Sequence, residues 1–406
     1  MMKFFAFVAF LVPFFTSGRT IEVKPNTAVS TLREAVSKAK SGDTILVYKG
    51  TYPSLNTIIN KSLTVIGKGF PVLDAQFKEE AVTILADNVT FEGFTVKNSK
   101  VGAMRDFAGI RLAKVNNAVI RNNQLQNNFF GIYLSEVTNS KITDNRIIGN
   151  HNNLASGNGI HAWQSSGNLI EGNYISGHRD GIYFEFVTDT RIVKNVSEKN
   201  ARYGLHFMFS DDDSYRNNTF RSNGSGVAVM YSKRIDMLNN LFIENWGSSI
   251  YGLLLKDIRD SRIINNKFIR NTTGIYFEGT SRIQVTGNQI SGNGWAIRLL
   301  ANCEQNTFKE NAFNGNSFDV STNGSLNLNT FQRNYWDKYE GYDLNKDGIG
   351  DIPYRPVSLF AQIIEQIPQS VMLMRSFIVN LFDRVEKSIP SITPESVKDE
   401  EPKMKP

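Results

Sequence analysis

The chain has 406 residues carrying 45 Lys and Arg against 39 Asp and Glu, a formal net charge of +6. The charges are interspersed and not gathered into a basic stripe, which argues against a nucleic-acid partner. The length fits either two or three globular domains or one elongated solenoid, and the single cysteine, Cys303, excludes a disulfide-stapled scaffold and reads as packing.

Residues 1–18 read as a signal peptide: Lys3, an apolar run from Phe4 to Phe15, then Thr16, Ser17 and Gly18. That run is shorter than the roughly 20 apolar residues a bilayer span needs, so export with cleavage near Gly18 and a soluble mature product are expected. Thr31-Leu-Arg-Glu34 is a capping box opening a short helix, with Leu32, Ala35, Val36 and Ala39 on one face to close the N-terminal end. The stretch from Gly42 to Tyr48 reads as the first strand.

From Gly109 onward, a glycine followed by alternating apolar residues recurs at Gly131, Gly159, Gly181, Gly204, Gly226, Gly252 and Gly274, with spacings of 22, 28, 22, 23, 22, 26 and 22. In step with it, Asn123, Asn145, Asn173, Asn195, Asn218, Asn240, Asn266, Asn288 and Asn311 each open an Asn-x-apolar-x-x-Asn-like unit; Asn195 is the weakest copy, with Ser197 at the apolar site. A period near 22 with short period-2 apolar runs predicts an all-β chain, a right-handed parallel β-helix whose coils stack about 4.8 Å apart. Asn at a fixed turn position can build hydrogen-bonded ladders along the stack. Coils are expected to about Trp336.

Within the repeat strand, positions one and three after the glycine are apolar and face the core, so positions two and four face out. The second-position column runs Arg111, Tyr133, His161, Tyr183, His206, Ala228, Leu254, Tyr276, and the fourth runs Ala113, Ser135, Trp163, Glu185, Met208, Met230, Lys256, Glu278. Met208 and Met230 then share a column on adjacent coils, two residues from His206 on the same face, and two sulfurs with one nitrogen suit transient Cu(I). His161 and His206 lie two coils apart, about 10 Å, and cannot share an ion. The competing reading of this edge is a protein-binding surface without metal, formed by His151, His161, Trp163, Tyr183, Glu185 and Trp246. The 28- and 26-residue spacings place His151 and Trp246 in loops beside it.

Asp343-x-Asn345-x-Asp347-Gly348-Ile349-x-Asp351 has the alternating oxygen donors and turn glycine of a calcium loop, with the Ile349 carbonyl as a further donor. The acidic residue expected at the twelfth position is Tyr354, so a metal-free Asx turn is the alternative; either form would cap the solenoid. Residues 360–383 read as amphipathic helix interrupted near Pro368, with an apolar run that Arg375 breaks, so the segment cannot span a membrane and is suited either to docking on the solenoid end or to lying against a membrane partner or the membrane surface. Past Pro390 the composition turns to Pro, Lys and Glu and cannot order itself alone, leaving a partner-binding strap or disorder. The division expected is thus 1–18 signal peptide, 19–356 β-helix with caps, 357–390 helical segment and 391–406 charged tail.

Long segments from Gly157 to Pro356 resemble one family: Gly-Asn-Gly-Ile-His from 157, Gly-His-Arg-Asp-Gly-Ile-Tyr-Phe-Glu-Phe from 177, Arg-Tyr-Gly-Leu-His-Phe-Met-Phe-Ser from 202, and Arg-Asn-Tyr-Trp-Asp-Lys-Tyr-Glu-Gly-Tyr-Asp from 333. They are similar to the NosD family of nitrous oxide reductase maturation proteins. The resemblance implies a periplasmic accessory protein, not an enzyme, that assists assembly of the reductase's copper–sulfide centre together with an ABC transporter. It implies as partners the permease with its ATPase, met through the C-terminal helical segment, apo nitrous oxide reductase, and a copper chaperone. The chain agrees in having no Gly-x-x-x-x-Gly-Lys-Ser/Thr phosphate loop of its own. The rival class is a carbohydrate-active β-helix, for which Arg179, Asp180, Glu185 and Asp211 to Asp213 are the available groups, although none of these fixes two carboxylates across one bond.

Overall fold

The computed structural model describes residues 18–102, 104–150, 157–247, 250–324, 328–374, 376–388 and 393–406. The chain winds through about 13 turns of a parallel β-solenoid. Each coil contributes one strand to each of three sheets. Among the described residues, sheet 1 has 14 strands, from Thr20–Val23 to Leu328–Gln332; sheet 2 has 13, from Thr51–Pro53 to Tyr335–Trp336; sheet 3 has 12, from Thr57–Ile59 to Phe318–Ser321. The first strand is Thr20–Val23 and not the Thr44–Tyr48 strand, because residues ahead of the capping helix pair in parallel with the latter. That helix, α1 (Leu32–Lys38), is capped by Thr31, whose side chain accepts from the Glu34 N–H, and it buries Leu32, Ala35 and Val36.

The period is enforced at the turns. Between sheets 1 and 2, the residue before each ladder asparagine adopts positive φ, as at Asn122, Asp144, Lys194 and Asn217. The asparagine itself is buried: Asn145 donates its backbone N–H and its Nδ2 to Asn173 Oδ1, both at 3.0 Å, and Nδ2 reaches Ile120 O at 2.9 Å. The same bonds carry the ladder from Asn123 to Asn334. Amide side chains thereby satisfy turn backbone that would otherwise be buried unpaired. The repeat glycines allow coils to approach: a Cβ on Gly131 would stand 2.4 Å from Gly159 O. Inside, rings stack coil on coil, Phe220 on Phe242 at 5.4 Å and Phe242 on Phe268 at 4.5 Å; each such burial contributes on the order of 2 kcal/mol. At the weak copy, Ser197 is fully buried, and its hydroxyl donates to Gly204 O (2.7 Å) and accepts from Asn200 Nδ2 (3.0 Å). Cys303 packs in the core.

The C-terminal region is broken where Pro368 predicts: α2 (Leu359–Gln366), a 3-10 turn Pro368–Leu373, and α3 (Phe377–Ser388). α2 buries Phe360, Ala361 and Ile364, and Glu365 accepts from Arg298 (2.8 Å) and Ser321 (2.9 Å) on the outer face of sheet 3. The tail from 393 does not follow the disordered alternative. It lies across the end of the solenoid, with Val397 and Asp399 buried. Residues 1–17, with the apolar N-terminal run, are outside the described residues.

Candidate functional site

The strand pairings of sheet 3 reproduce both outward columns without a slip. Arg111, Tyr133, His161, Tyr183, His206, Ala228, Leu254 and Tyr276 are successive partners, as are Ala113, Ser135, Trp163, Glu185, Met208, Met230, Lys256 and Glu278. Pointing outward does not mean being exposed. His161 and His206 are 7% and 5% exposed because aromatic neighbours cover them. The Arg111 guanidinium lies 4.3 Å over Tyr133, Tyr133 stacks on His161 at 4.4 Å, and Tyr183 follows at 4.9 Å and His206 at 5.0 Å. His161 is therefore covered by its neighbours and does not stand on the surface as its outward position in the sequence pattern predicts. With Tyr183 between them, the two imidazoles do not converge on one ion.

The imidazoles are held differently. Asn158 Nδ2 lies within hydrogen-bond distance of His161 Nδ1 at 3.0 Å, and burial pushes the His161 pKa down to about 3. It is a neutral stacking group between Tyr133 and Tyr183. His206 Nδ1 lies 3.5 Å from Asp180 Oδ2 and 3.3 Å from an Arg202 nitrogen, while its Nε2 is buried with no hydrogen-bond partner among the described residues. In the tautomer whose Nδ1–H faces Asp180, Nε2 carries the lone pair a soft cation requires, the carboxylate–imidazole arrangement common behind metal-bound histidines. Asp180 is fully buried; burial works against its charge, but hydrogen bonds from Arg202 and His206 outweigh it and hold its carboxyl below the usual range. Burial likewise lifts the Tyr183 hydroxyl to about 12.

Met208 and Met230 are paired half-buried neighbours on adjacent coils, on the same outer face as His206. Trp163 and Glu185 continue their column, half-buried, and Trp246 is 55% exposed beside the sheet. His151 lies outside the described residues. Sequence reading missed the next column: Phe186, Phe209 and Tyr231 immediately follow Glu185, Met208 and Met230, are exposed, and stack at 5.4 and 5.1 Å. Each holds positive φ, near 54°, 50° and 53°, a conformation unfavourable for bulky residues. An aromatic after the fourth-position residue in three consecutive coils was the available signal.

The rival carbohydrate groups do not assemble. Asp180 starts its sheet 3 strand, whereas Asp211 to Asp213 lie in the turn from sheet 3 to sheet 1, where Asp211 and Asp212 pair with Lys233 and Arg234. At 343–351, Asp343 accepts from the Asp347 and Gly348 N–H groups, Asp347 Oδ1 from Ile349 N and Asp351 Oδ2 from Leu344 N. The loop is thus closed by Asx-type bonds, and among the described residues no three His, Cys, Asp or Glu groups converge to hold a metal.

The chain is thus a parallel solenoid scaffold that carries aromatic, imidazole and thioether side chains in register on the outer face of one sheet. Residues 36–156 and 151–341 match the family described as periplasmic copper-binding protein (NosD), and the chain belongs to that family. A "Probable ABC transporter binding protein NosD" of Pseudomonas aeruginosa is 29% identical over 374 residues, covering 86% of each chain. Its counterpart in Stutzerimonas stutzeri is 29% identical over 357 residues, covering 82% of this chain and 80% of that one. Among solved structures, the catalytic domain of a GH87 alpha-1,3-glucanase superposes with a TM-score of 0.63 at 13% identity, over 78% of this chain and 69% of that one. An alginate lyase from a Paenibacillus superposes at 0.51 and 16%, over 61% and 94%. At these identities the likeness concerns the fold alone.

Proposed function

We propose that this chain is a periplasmic, non-catalytic accessory protein in the maturation of nitrous oxide reductase, assisting assembly of its copper–sulfide centre together with an ABC transporter. The observation that carries the reading is the outer edge of sheet 3, where His206, backed by Asp180, shares a face with Met208 and Met230 beside the exposed Phe186, Phe209 and Tyr231. In this reading His206, Met208 and Met230 hold Cu(I) in transit, and Trp163, Tyr183, Glu185, Trp246 and the aromatic column receive apo reductase or a copper chaperone. Family membership and the names of the relatives support the setting. The helical segment meets the permease: Ile367, Met372, Phe377 and Leu381 are exposed, and no helix among the described residues is long and apolar enough to cross a membrane.

The test is a pull-down of wild type and of His206→Ala/Met208→Leu/Met230→Leu against apo reductase and the permease, with Cu(I) titrated in parallel. Retained partners with lost Cu(I) binding is the expected result; absence of Cu(I) binding in the wild type would reduce the edge to a protein interface. We propose separately that Asp343, Asn345, Asp347, the Ile349 carbonyl and Asp351 take a structural Ca²⁺, since each carboxylate keeps free lone pairs after its Asx bonds. Added Ca²⁺ should raise the melting temperature of the wild type and not of Asp343→Ala; equal responses would discard the site.

A further inference from the structure

Residues 393–406 are seated between two backbones. Parallel bridges join Asp399 to Phe331 and Lys403 to Tyr335 on the last coil, and antiparallel bridges join Lys403 to Ile349 and Asp399 to Tyr354 on the loop beyond it. Lys403 N donates to Asn334 O (2.9 Å), Met404 N to Gly348 O (3.0 Å) and Gly350 N to Pro402 O (2.7 Å), while Tyr354 and Asp399 exchange both backbone bonds at 2.9 Å. Asp399 Oδ2 accepts from Asn334 N (3.0 Å), Asn334 Nδ2 (2.9 Å) and Trp336 Nε1 (3.0 Å). Two of these are the bonds that every ladder asparagine makes to the rung after it, so the tail's carboxylate stands where the next coil's amide would stand. Val397 enters the core, and Glu401 accepts from Gln332 (3.0 Å) and Arg333 (2.8 Å). A stretch this polar has no order of its own, so its order comes from the seat.

We propose that the C-terminal end of the solenoid is a strand-acceptor site for an extended peptide of pattern Val-x-Asp-x-Glu-Pro-Lys, filled in cis by the chain's own residues 397–403. Binding is strand addition at an otherwise open edge, with backbone bonds giving affinity and the asparagine rung giving selectivity. Selectivity rests on a buried acceptor facing three buried donors: Asn at 399 retains an acceptor oxygen, whereas Ala leaves all three unpaired. The covalent link supplies only a high local concentration, so a free copy of the peptide, or the tail of a second copy of this chain, competes for the same seat.

The experiment uses the full-length chain with a protease recognition sequence inserted between Pro390 and Ser391. After cleavage the tail fragment is expected to co-elute with the body and to exchange with labelled synthetic peptide 393–406. The Asp399→Asn peptide should compete within about threefold of wild type, and the Asp399→Ala peptide at least about thirtyfold more weakly, as expected when three buried donors lose their acceptor. Dissociation of the fragment from a body whose circular dichroism is unchanged would overturn the proposal, as would equal competition by the Ala peptide. In the uncut full-length chain, Asp399→Ala should speed hydrogen exchange at the Asn334 amide and the Trp336 indole by at least about tenfold; unchanged protection would overturn it independently of how the inserted sequence folds.

Discussion

Single buried groups carry much of this molecule's chemistry, and their states follow from what surrounds them. Asp319 is enclosed at the end of sheet 3, with Tyr354 and Lys338 each at 3.4 Å and one oxygen unpartnered among the described residues. Burial first, and Asp337 after it, raise its pKa from 3.8 to about 6 against the opposing pull of Lys338. The folded state therefore holds the proton more tightly than the unfolded one, so its contribution is fully present below pH 4 and is lost as pH rises through about 6. Asp319→Asn should abolish that decline and stabilise the protein at pH 7 by on the order of 2 kcal/mol, measured as denaturation midpoints at pH 4 and pH 7. The identities of such groups were visible in the sequence; their burial was not. His161 and His206 sit at positions whose alternation marks them as outward, and rings from neighbouring positions enclose them: Phe130, Tyr133 and Tyr183 around His161, and Tyr183 and Tyr203 around His206. Asp180, one of the groups available to a carbohydrate-active reading, precedes a repeat glycine and is closed off by Arg202 from the next coil.

The elements are held by interactions that cross coils. Asn218 Oδ1 accepts from Asn195 N (2.8 Å) and Nδ2 (3.0 Å), and its own Nδ2 donates to Asn240 Oδ1 (3.0 Å) and Ile192 O (2.9 Å). Asn218→Ala removes these bonds and leaves buried donors unpaired, so a loss of about 3 kcal/mol is expected, with exchange protection falling first at the Asn195 amide. A loss below about 1 kcal/mol would show that the ladder follows the fold and does not stabilise it. Strand register was legible because the glycine and asparagine signatures recur together and fix it twice per coil. The tail was illegible for the opposite reason. It contains no repeat, and its pairing with Asn334 spans 65 positions, so composition alone describes a segment whose order is supplied by other residues.

At the scale of the whole molecule, fold and function separate. The core is continuous and apolar, so under the proposed function removing copper should leave the solenoid's melting temperature within about 1 °C, as expected if ligand binds the native state weakly and touches no core residue. A large copper-dependent shift would instead make the metal structural. The tail and α2 fasten the helical segment to one end of a rod, while His206 lies on an interior coil, five strands of sheet 3 before the last one. At about 4.8 Å per coil, that places the edge roughly 24 Å from the helical end, measured along the axis. The solenoid is therefore a ruler graduated in coils: removing one complete coil between His206 and Arg298 should keep every ladder in register yet draw the His206 edge about 4.8 Å nearer to whatever the helices touch, a step that no point substitution can make.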